Sequence, residues 1–526
     1  MDPVDVLVVG AGPAGLAAAI RLKQQMKLSQ KDVSVMVLDK APYPGAHSLS
    51  GAVLEAGCLD ELLPGWRQRE GSFVSEMTPV TRDEMYFLSS GRALRLPSSL
   101  VPRGMRHVGD HVVSLTRLVE WLTREASKEG VDVYHGVSVA SLIWEGSTVR
   151  GVRLTDAGLD KEGRKGANYA AGEEVRAKVT VLADGGSGVL AREFSSRGPG
   201  GRNPQVYSIG IKQVLGFPAG QGPGKGRVIH TLGFPCPPDV FGGGLLYGMG
   251  DGKVALGLIL GLDWRYTDLD PQKELEYFKA HPFMAGLLKG ARVLEAGAKI
   301  IPEGGFFAIP RLWGQGALVA GDAAGFVNME EVKGLHYALL SGMAAADAIA
   351  GSFARGDEAG PDLGAYEDNL RSRGVWRDMR HARNFRACFQ WGILAGAPLS
   401  KVQNFLPRLG MREDRAATRK GACLKRAFTP ALNRAEFAAL SATHHREDEL
   451  SHIVIREPEI CARCLKELSG PCTAFCPVEV YRAKGAGITV SPSNCIHCGT
   501  CSVKCPFDNI AWRPPEGGEG PRYKSM

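Results

Sequence analysis

The sequence predicts an α/β protein in which a Rossmann-like domain is laid down in separate pieces. An α+β domain is inserted between them, and a small ferredoxin-like domain follows. Three observations carry that prediction. An apolar strand runs directly into a Gly-x-Gly-x-x-Gly turn and an Ala-rich helix. Two further apolar strands, each ending in a turn with an acid and glycines, lie far downstream. Eight of the twelve cysteines crowd into residues 461–505.

Residues 4–20 read VDVLVVGAGPAGLAAAI. Gly10, Gly12 and Gly15 permit a tight turn and a close approach of backbone to a pyrophosphate, and the helix N-terminus supplies positive potential. A second strand over residues 33–38 ends on Asp39, where a carboxylate can accept from a ribose hydroxyl. A polar insert around residues 23–31 lengthens that spacing. Strand, helix and acid together make a chance glycine turn a poor explanation.

Two later segments decide which dinucleotide is bound. Residues 179–183 form an apolar strand leading into Asp184, Gly185 and Gly186. Residues 316–320 form another, leading into Gly321, Asp322, Ala323, Ala324 and Gly325. Flavoproteins of the two-dinucleotide-binding type carry such a Gly-Asp after the last sheet strand, with the acid on the ribityl side of the flavin. A helix over about residues 333–350 would aim its N-terminus at the ring and stabilise a reduced, anionic flavin. The expected cofactor is FAD. The sequence has no second full glycine fingerprint, so no separate NAD(P)H domain is expected. The Gly-rich run 216–226 lacks the Gly-Lys-Ser/Thr of a phosphate loop and reads as a surface loop.

Residues 85–96 and 205–307 alternate as strands with turns. Within them Gly242, Gly243 and Gly244 stand beside Phe241, Leu245, Leu246 and Tyr247. Such glycines suit a backbone lying against a flat ring, but on the residues alone a bulge or tight hairpin is simpler. Residues 371–409 change character. Arg371, Arg373, Arg377, Arg380, Arg383 and Arg386 precede or enter an apolar stretch with Phe385, Phe389, Trp391, Ile393, Leu394 and Phe405. An interfacial membrane anchor and a core helix with a solvated Arg face both fit this pattern. Residues 410–450 read as a charged, irregular linker, and those after Trp512 as extended.

The cysteines fall in two runs, each closed by Cys-Pro. The second, Cys495-x2-Cys498-x2-Cys501-x3-Cys505-Pro506, has ferredoxin spacing, in which three thiolates hold one cluster and the fourth reaches the other. The first is looser: Cys461-x2-Cys464-x7-Cys472-x3-Cys476-Pro477. By the crossing rule, Cys495, Cys498 and Cys501 share a 4Fe-4S cluster with Cys476. Cys461, Cys464 and Cys472 share a second with Cys505. Disulfides fit such tight triples poorly. Structural zinc usually separates two Cys-x2–4-Cys pairs, whereas three cysteines here fall within seven residues. The first strand starts close to Met1, so no secretory or transit peptide is expected. A net charge of +7 over 526 residues suits an acidic partner or anionic membrane surface; no nucleic-acid motif accompanies it. Apolar stretches such as residues 254–262 are too short to span a bilayer.

Further stretches carry a family resemblance: GAHSLSGA at 45–52, TDAG at 155–158, HTLG at 230–233, FGGGLLY at 241–247, GGF at 304–306 and PPEGGEGP at 514–521. Over nearly its whole length the chain resembles electron transfer flavoprotein–ubiquinone oxidoreductases, which pass electrons from a soluble flavoprotein to membrane quinone. The resemblance implies a discontinuous Rossmann-like FAD-binding domain (1–84, 109–204 and 308–384), an inserted α+β quinone-binding domain (85–108 and 205–307) and a membrane-interface segment (385–409). A linker (410–450) and a ferredoxin-like 4Fe-4S domain (451–526) complete it. It places quinone beside Gly242 and Gly243. The implied partners are electron transfer flavoprotein, ubiquinone or menaquinone, and one membrane surface, at the cytoplasmic face of a bacterial inner membrane.

The chain departs from the eukaryotic members in two ways. They resemble it at Cys476, Cys495, Cys498 and Cys501 alone, a single-cluster set, and Asp322 resembles the wider flavoprotein superfamily. The extra cysteines raise a second reading, the quinone-reducing subunit of a flavin-bifurcating complex. An FAD monooxygenase or prenyl-chain reductase leaves the cysteines unexplained. A non-catalytic relay would lack quinone reductase activity. The chemistry belongs to the cofactors, so no protein nucleophile is expected.

Overall fold

The computed structural model describes residues 2–51, 53–69, 71–357 and 360–526. In chain order the framework is β1 (Val4–Val9), α1 (Pro13–Leu28), β2 (Val35–Asp39), β3 (Arg82–Leu88), α2 (Leu115–Lys128), β4 (Asp132–His135) and β5 (Glu174–Leu182). It continues with β6 (Tyr207–Gly216), β7 (Arg227–Gly233), β8 (Gly242–Gly248), β9 (Lys253–Gly261), β10 (Arg292–Pro302), β11 (Ala317–Val319) and α3 (Leu335–Ala354).

The first sheet is eight-stranded; its parallel core runs β11-β5-β1-β2-β4, flanked by antiparallel strands at 313–314, 148–154 and 139–145. Its central strands are buried on both faces: Val6, Leu7 and Val8 have almost no exposure, nor do Val179, Val181 and Leu182. That explains why they read as unbroken apolar runs rather than alternating ones. α1 starts with Pro13 at its first position and has no side-chain cap, so its leading N–H groups stay free for a ligand. α3, 20 residues long and apolar, packs on α1 as core. A Cβ on Gly342 would stand 2.1 Å from the Ala14 carbonyl oxygen, so glycine lets the two helices cross closely.

The second sheet is seven-stranded, β10-β6-β9-β8-β7-β3 with residues 93–95 at the edge. Its pairs are antiparallel except for β7 beside β3. The far-separated β3 thus joins the strands after residue 205, as the interrupted-domain expectation requires. The cysteine-rich region has two small antiparallel pairs, Ile453–Ile455 with Ile510–Trp512 and Tyr481–Lys484 with Gly487–Val490. The helices Pro458–Leu468 and Thr500–Lys504 complete it.

Two segments differ from expectation. Residues 410–450 are a strap rather than a loose linker. Asp414 is buried and accepts from the Tyr207 N–H, and Arg426 pairs with Glu274. A capping box between Asn433 and Glu436 starts a short helix, Arg434–Leu440. The residues after Trp512 are extended but not free. Gly518 N–H donates to Lys40 O, Tyr523 N–H to Ala46 O, and Glu516 accepts from Gly158 N–H.

Candidate redox site

A cavity of about 320 Å³ lies between the two sheets, a size within the ~300–1,000 Å³ of ligand sites. One end is the Rossmann turn. Gly10, at φ +106°, and Gly15 are fixed by packing: their Cβ atoms would meet the Ala183 oxygen at 2.3 Å and the Gly10 oxygen at 2.0 Å. Beside Gly12 the space is open. That division of labour leaves a surface a pyrophosphate can approach. Asp39 accepts from the N–H groups of Ala11 and Ala41, both at 2.7 Å. The acid therefore shapes the turn as well as offering its remaining lone pairs to the cavity. Gly321 and Asp322 line the same space, with Lys333, Gly334 and Leu335 at the start of α3. Gly325 lies just outside that lining, at φ +80°, where it ends the turn. Burial pushes the Asp322 carboxyl up to about 6, although Lys299 pulls the other way. Asp184 also lines the cavity, and its Oδ2 accepts from Leu190 N–H at 2.9 Å in the first turn of the helix Val189–Ser196.

Sequence reasoning missed three lysines on this lining, buried Lys212 and half-buried Lys40 and Lys299. Burial lowers Lys212 to about 7, and burial with the neighbouring Lys299 charge lowers Lys40 to about 8. Lys212 donates to Ser50 O at 2.7 Å and Lys299 to His47 O at 3.1 Å. A lone lysine inside an apolar strand, as in YSIGIKQVLG, was the available signal. Cations facing the cavity suit the phosphates and reduced ring of FAD. The glycine turn, Asp39 and Asp322 are the residues that would hold it.

Gly242 and Gly243 do not line this cavity. At the start of β8 their Cβ atoms would meet the Ile259 oxygen at 2.2 Å and the Thr231 oxygen at 2.3 Å, so strand packing already demands glycine. They adjoin Phe241, which belongs to an apolar cluster with Val327, Met329, Phe385 and Phe389. Val327 and Met329 do reach the cavity. Beyond the cluster lie Trp391, Leu394 and Phe405, 58%, 81% and 88% exposed. The 385–409 segment is thus divided: Phe385, Ala387 and Cys388 are core, and the apolar surface begins at Trp391. Lys401 donates to Leu100 O, which brings exposed Leu100 to the same patch. The upstream arginines are largely committed to acids. Arg371 pairs with Glu367 and Asp368, Arg373 with Glu61 and Asp347, Arg377 with Asp378, and buried Arg386 with Asp263 and Glu303.

The eight cysteines divide as crossed ferredoxin spacing requires. Cys461, Cys464, Cys472 and Cys505 line one small cavity; Cys476, Cys495, Cys498 and Cys501 line another. All are free thiols. Sulfurs in both groups accept N–H bonds: Cys476 from Val480, Cys495 from His497 and Cys505 from Asn509. Such bonds stabilise cluster thiolates, so two tetra-cysteine sites fit two 4Fe-4S clusters. The inner group touches the central cavity, because Ile300 lines that cavity while its N–H donates to Cys498 O at 2.9 Å.

A Rossmann-type cavity abutting a tetra-cysteine pocket defines a flavin- and iron–sulfur-dependent oxidoreductase. Comparison with known proteins takes this further. Residues 431–524 match the family described as electron transfer flavoprotein-ubiquinone oxidoreductase, 4Fe-4S. Residues 207–301 match its ubiquinone-binding domain, and residues 8–64 an NAD(P)-binding Rossmann-like domain. The mitochondrial electron transfer flavoprotein-ubiquinone oxidoreductase of Arabidopsis thaliana is 36% identical, over 99% of this chain and 84% of its own. That of Homo sapiens is 35% identical, over 100% and 89%. A geranylgeranyl bacteriochlorophyll reductase-like protein from Thermoplasma acidophilum has TM-score 0.58 at 20% identity, covering 76% of this chain and 91% of that one. A flavin-dependent brominase has TM-score 0.52 at 18% identity, over 76% and 90%. These two likenesses concern the fold. The chain belongs to the electron transfer flavoprotein–ubiquinone oxidoreductase family.

Proposed function

We propose that the protein takes electrons from reduced electron transfer flavoprotein and passes them through 4Fe-4S clusters and FAD to ubiquinone. Bound FAD supplies the junction, since it holds one or two electrons while each cluster carries one. The observation that carries this reading is Ile300, shared between the cavity wall and the Cys498 loop. Ile300 and Trp512, which lines both cavities, then stand between the inner cluster site and the flavin site. Cys461 and Cys472 in the outer group are partly exposed, which favours the outer cluster as the first acceptor. The apolar cluster from Phe389 to Met329 supports a quinone path from one leaflet to the cavity. The exposed Trp391, Leu394 and Phe405 support attachment to that leaflet, which we assign to the cytoplasmic face of a bacterial inner membrane. Menaquinone is the alternative substrate within the same reading. Nothing observed favours a bifurcating complex over the simple dehydrogenase.

The test uses holoprotein carrying FAD and iron, reduced partner flavoprotein and a short-chain ubiquinone. Quinol should form catalytically. Reduction of flavin and clusters without quinone consumption would make the protein a relay instead.

A further inference from the structure

Quinone reduction needs protons as well as electrons, and the cavity is buried. Turning both carbonyls into hydroxyls takes two electrons and two protons. Tyr247 lines the cavity wall and is almost fully buried. Its hydroxyl lies 2.6 Å from His230 Nε2. The His230 and His107 rings follow with centroids 5.1 Å apart. The rings are tilted 56° to one another and the His107 ring nitrogens make no hydrogen bond among the described residues, so a proton crosses between them when one ring turns a nitrogen toward the other. His107 Nδ1 then stands 3.4 Å from Asp110 Oδ2, while the main-chain N–H of His107 donates to Asp83 Oδ2 at 2.6 Å and fixes the backbone there. Both carboxylates are half-buried, whereas the two histidines are enclosed. Lys333 also lies at this end, 2.8 Å from Asp110 and paired with Glu55.

Resting on the quinone-reductase reading, we propose that Tyr247 hands protons to the reduced quinone and that His230 and His107 refill it from the surface at Asp110. As an electron pair reaches the quinone, the Tyr247 O–H bond breaks and an O–H bond forms on a quinone oxygen. The Nε2 proton of His230 passes to the phenolate. His230 takes a proton from His107, and His107 takes one from solvent through Asp110. Two passes deliver the two protons that balance two electrons. Burial raises the phenol above its ordinary range and holds His230 neutral. The tyrosine therefore keeps its proton until a more basic oxygen develops beside it. A neutral histidine donating from one nitrogen accepts on the other, as a relay requires.

Tyr247→Phe, His230→Gln and His107→Gln test the chain, in holoprotein reduced by the partner flavoprotein. Ferricyanide accepts an electron without a proton, so it reports the electron route alone. In Tyr247→Phe, ferricyanide reduction and quinone affinity, read by flavin fluorescence, should stay within twofold of wild type. Quinol formation should fall about 100-fold, and in His107→Gln the solvent deuterium isotope effect on it should rise. Wild-type quinol rates in Tyr247→Phe overturn the proposal. So do equal losses of ferricyanide and quinone reduction in all three variants, because that is general damage. Wild-type protein that reduces ferricyanide but never quinone overturns the quinone reading instead.

Discussion

Asn509 donates from its side-chain amide to Cys461 Sγ at 3.3 Å, and its main-chain N–H donates to Cys505 Sγ at the same distance. One residue thus serves two sulfurs that lie far apart in sequence but belong to the same outer group. The crossed assignment of ligands follows from this kind of geometry.

Iron content reads that assignment directly. Wild-type protein should carry about eight iron per chain, and Cys505→Ser about four, with the inner cluster's spectrum unchanged. About four iron in both proteins would leave a single cluster.

Removing the Asp39 carboxylate should weaken FAD retention by about 1.5–3 kcal/mol, the worth of a charge-assisted bond. Because Asp39 also braces the Ala11 and Ala41 amides, Asp39→Ala should lose more than Asp39→Asn. Equilibrium FAD titration of the two apoproteins measures the difference; equal affinity to wild type in both would remove Asp39 from the site.

Membrane attachment should depend on the exposed part of the 385–409 segment. Leu394→Glu with Phe405→Glu should abolish flotation with anionic liposomes while FAD and iron remain bound. Phe389→Glu is a poor probe, since Phe389 packs on Phe241 and Phe385. Unchanged flotation of the double variant would place the contact elsewhere.

Glu331 gives a pH-dependent prediction. Burial raises its carboxyl to about 7, against the opposing Tyr337 hydrogen bond and Lys333 charge. A folded pKa above the unfolded one adds stability in full below about pH 4.5, and that stability is lost as pH rises through 7. Wild type should therefore weaken relative to Glu331→Gln between pH 5 and 8, by about 2 kcal/mol after discounting partial exposure. Denaturant midpoints at the two pH values measure this, and parallel midpoints would contradict it.

The parts legible in the sequence were those set by local pattern. The Gly10–Gly15 turn, the Gly321–Asp322 turn and the cysteine spacing each state their geometry within a few residues. What stayed hidden depends on contacts between distant segments. Lys212 and Lys299 become cavity groups only because β6 and β10 lie side by side facing residues 47–50. Tyr247 and His230 meet only through the register of β8 on β7. The triple glycine has a second reason to be there that also lies across the sheet: Gly243 answers to the Thr231 carbonyl, so Gly243→Val would disrupt β8 itself.

The central cavity draws its walls from segments within residues 9–51, 135–139, 183–190, 210–212, 245–259, 299–301, 320–338 and 512–514, and residues 518 and 523 tie down its rim. During synthesis, then, no early portion of the chain can make a finished flavin pocket. The Rossmann turn emerges first but lacks its lid until the cysteine-rich region and the tail behind it have left the ribosome. Cofactor capture and cluster loading are thereby pushed into the same late window, and a failure to insert iron should leave behind a chain that also holds flavin poorly.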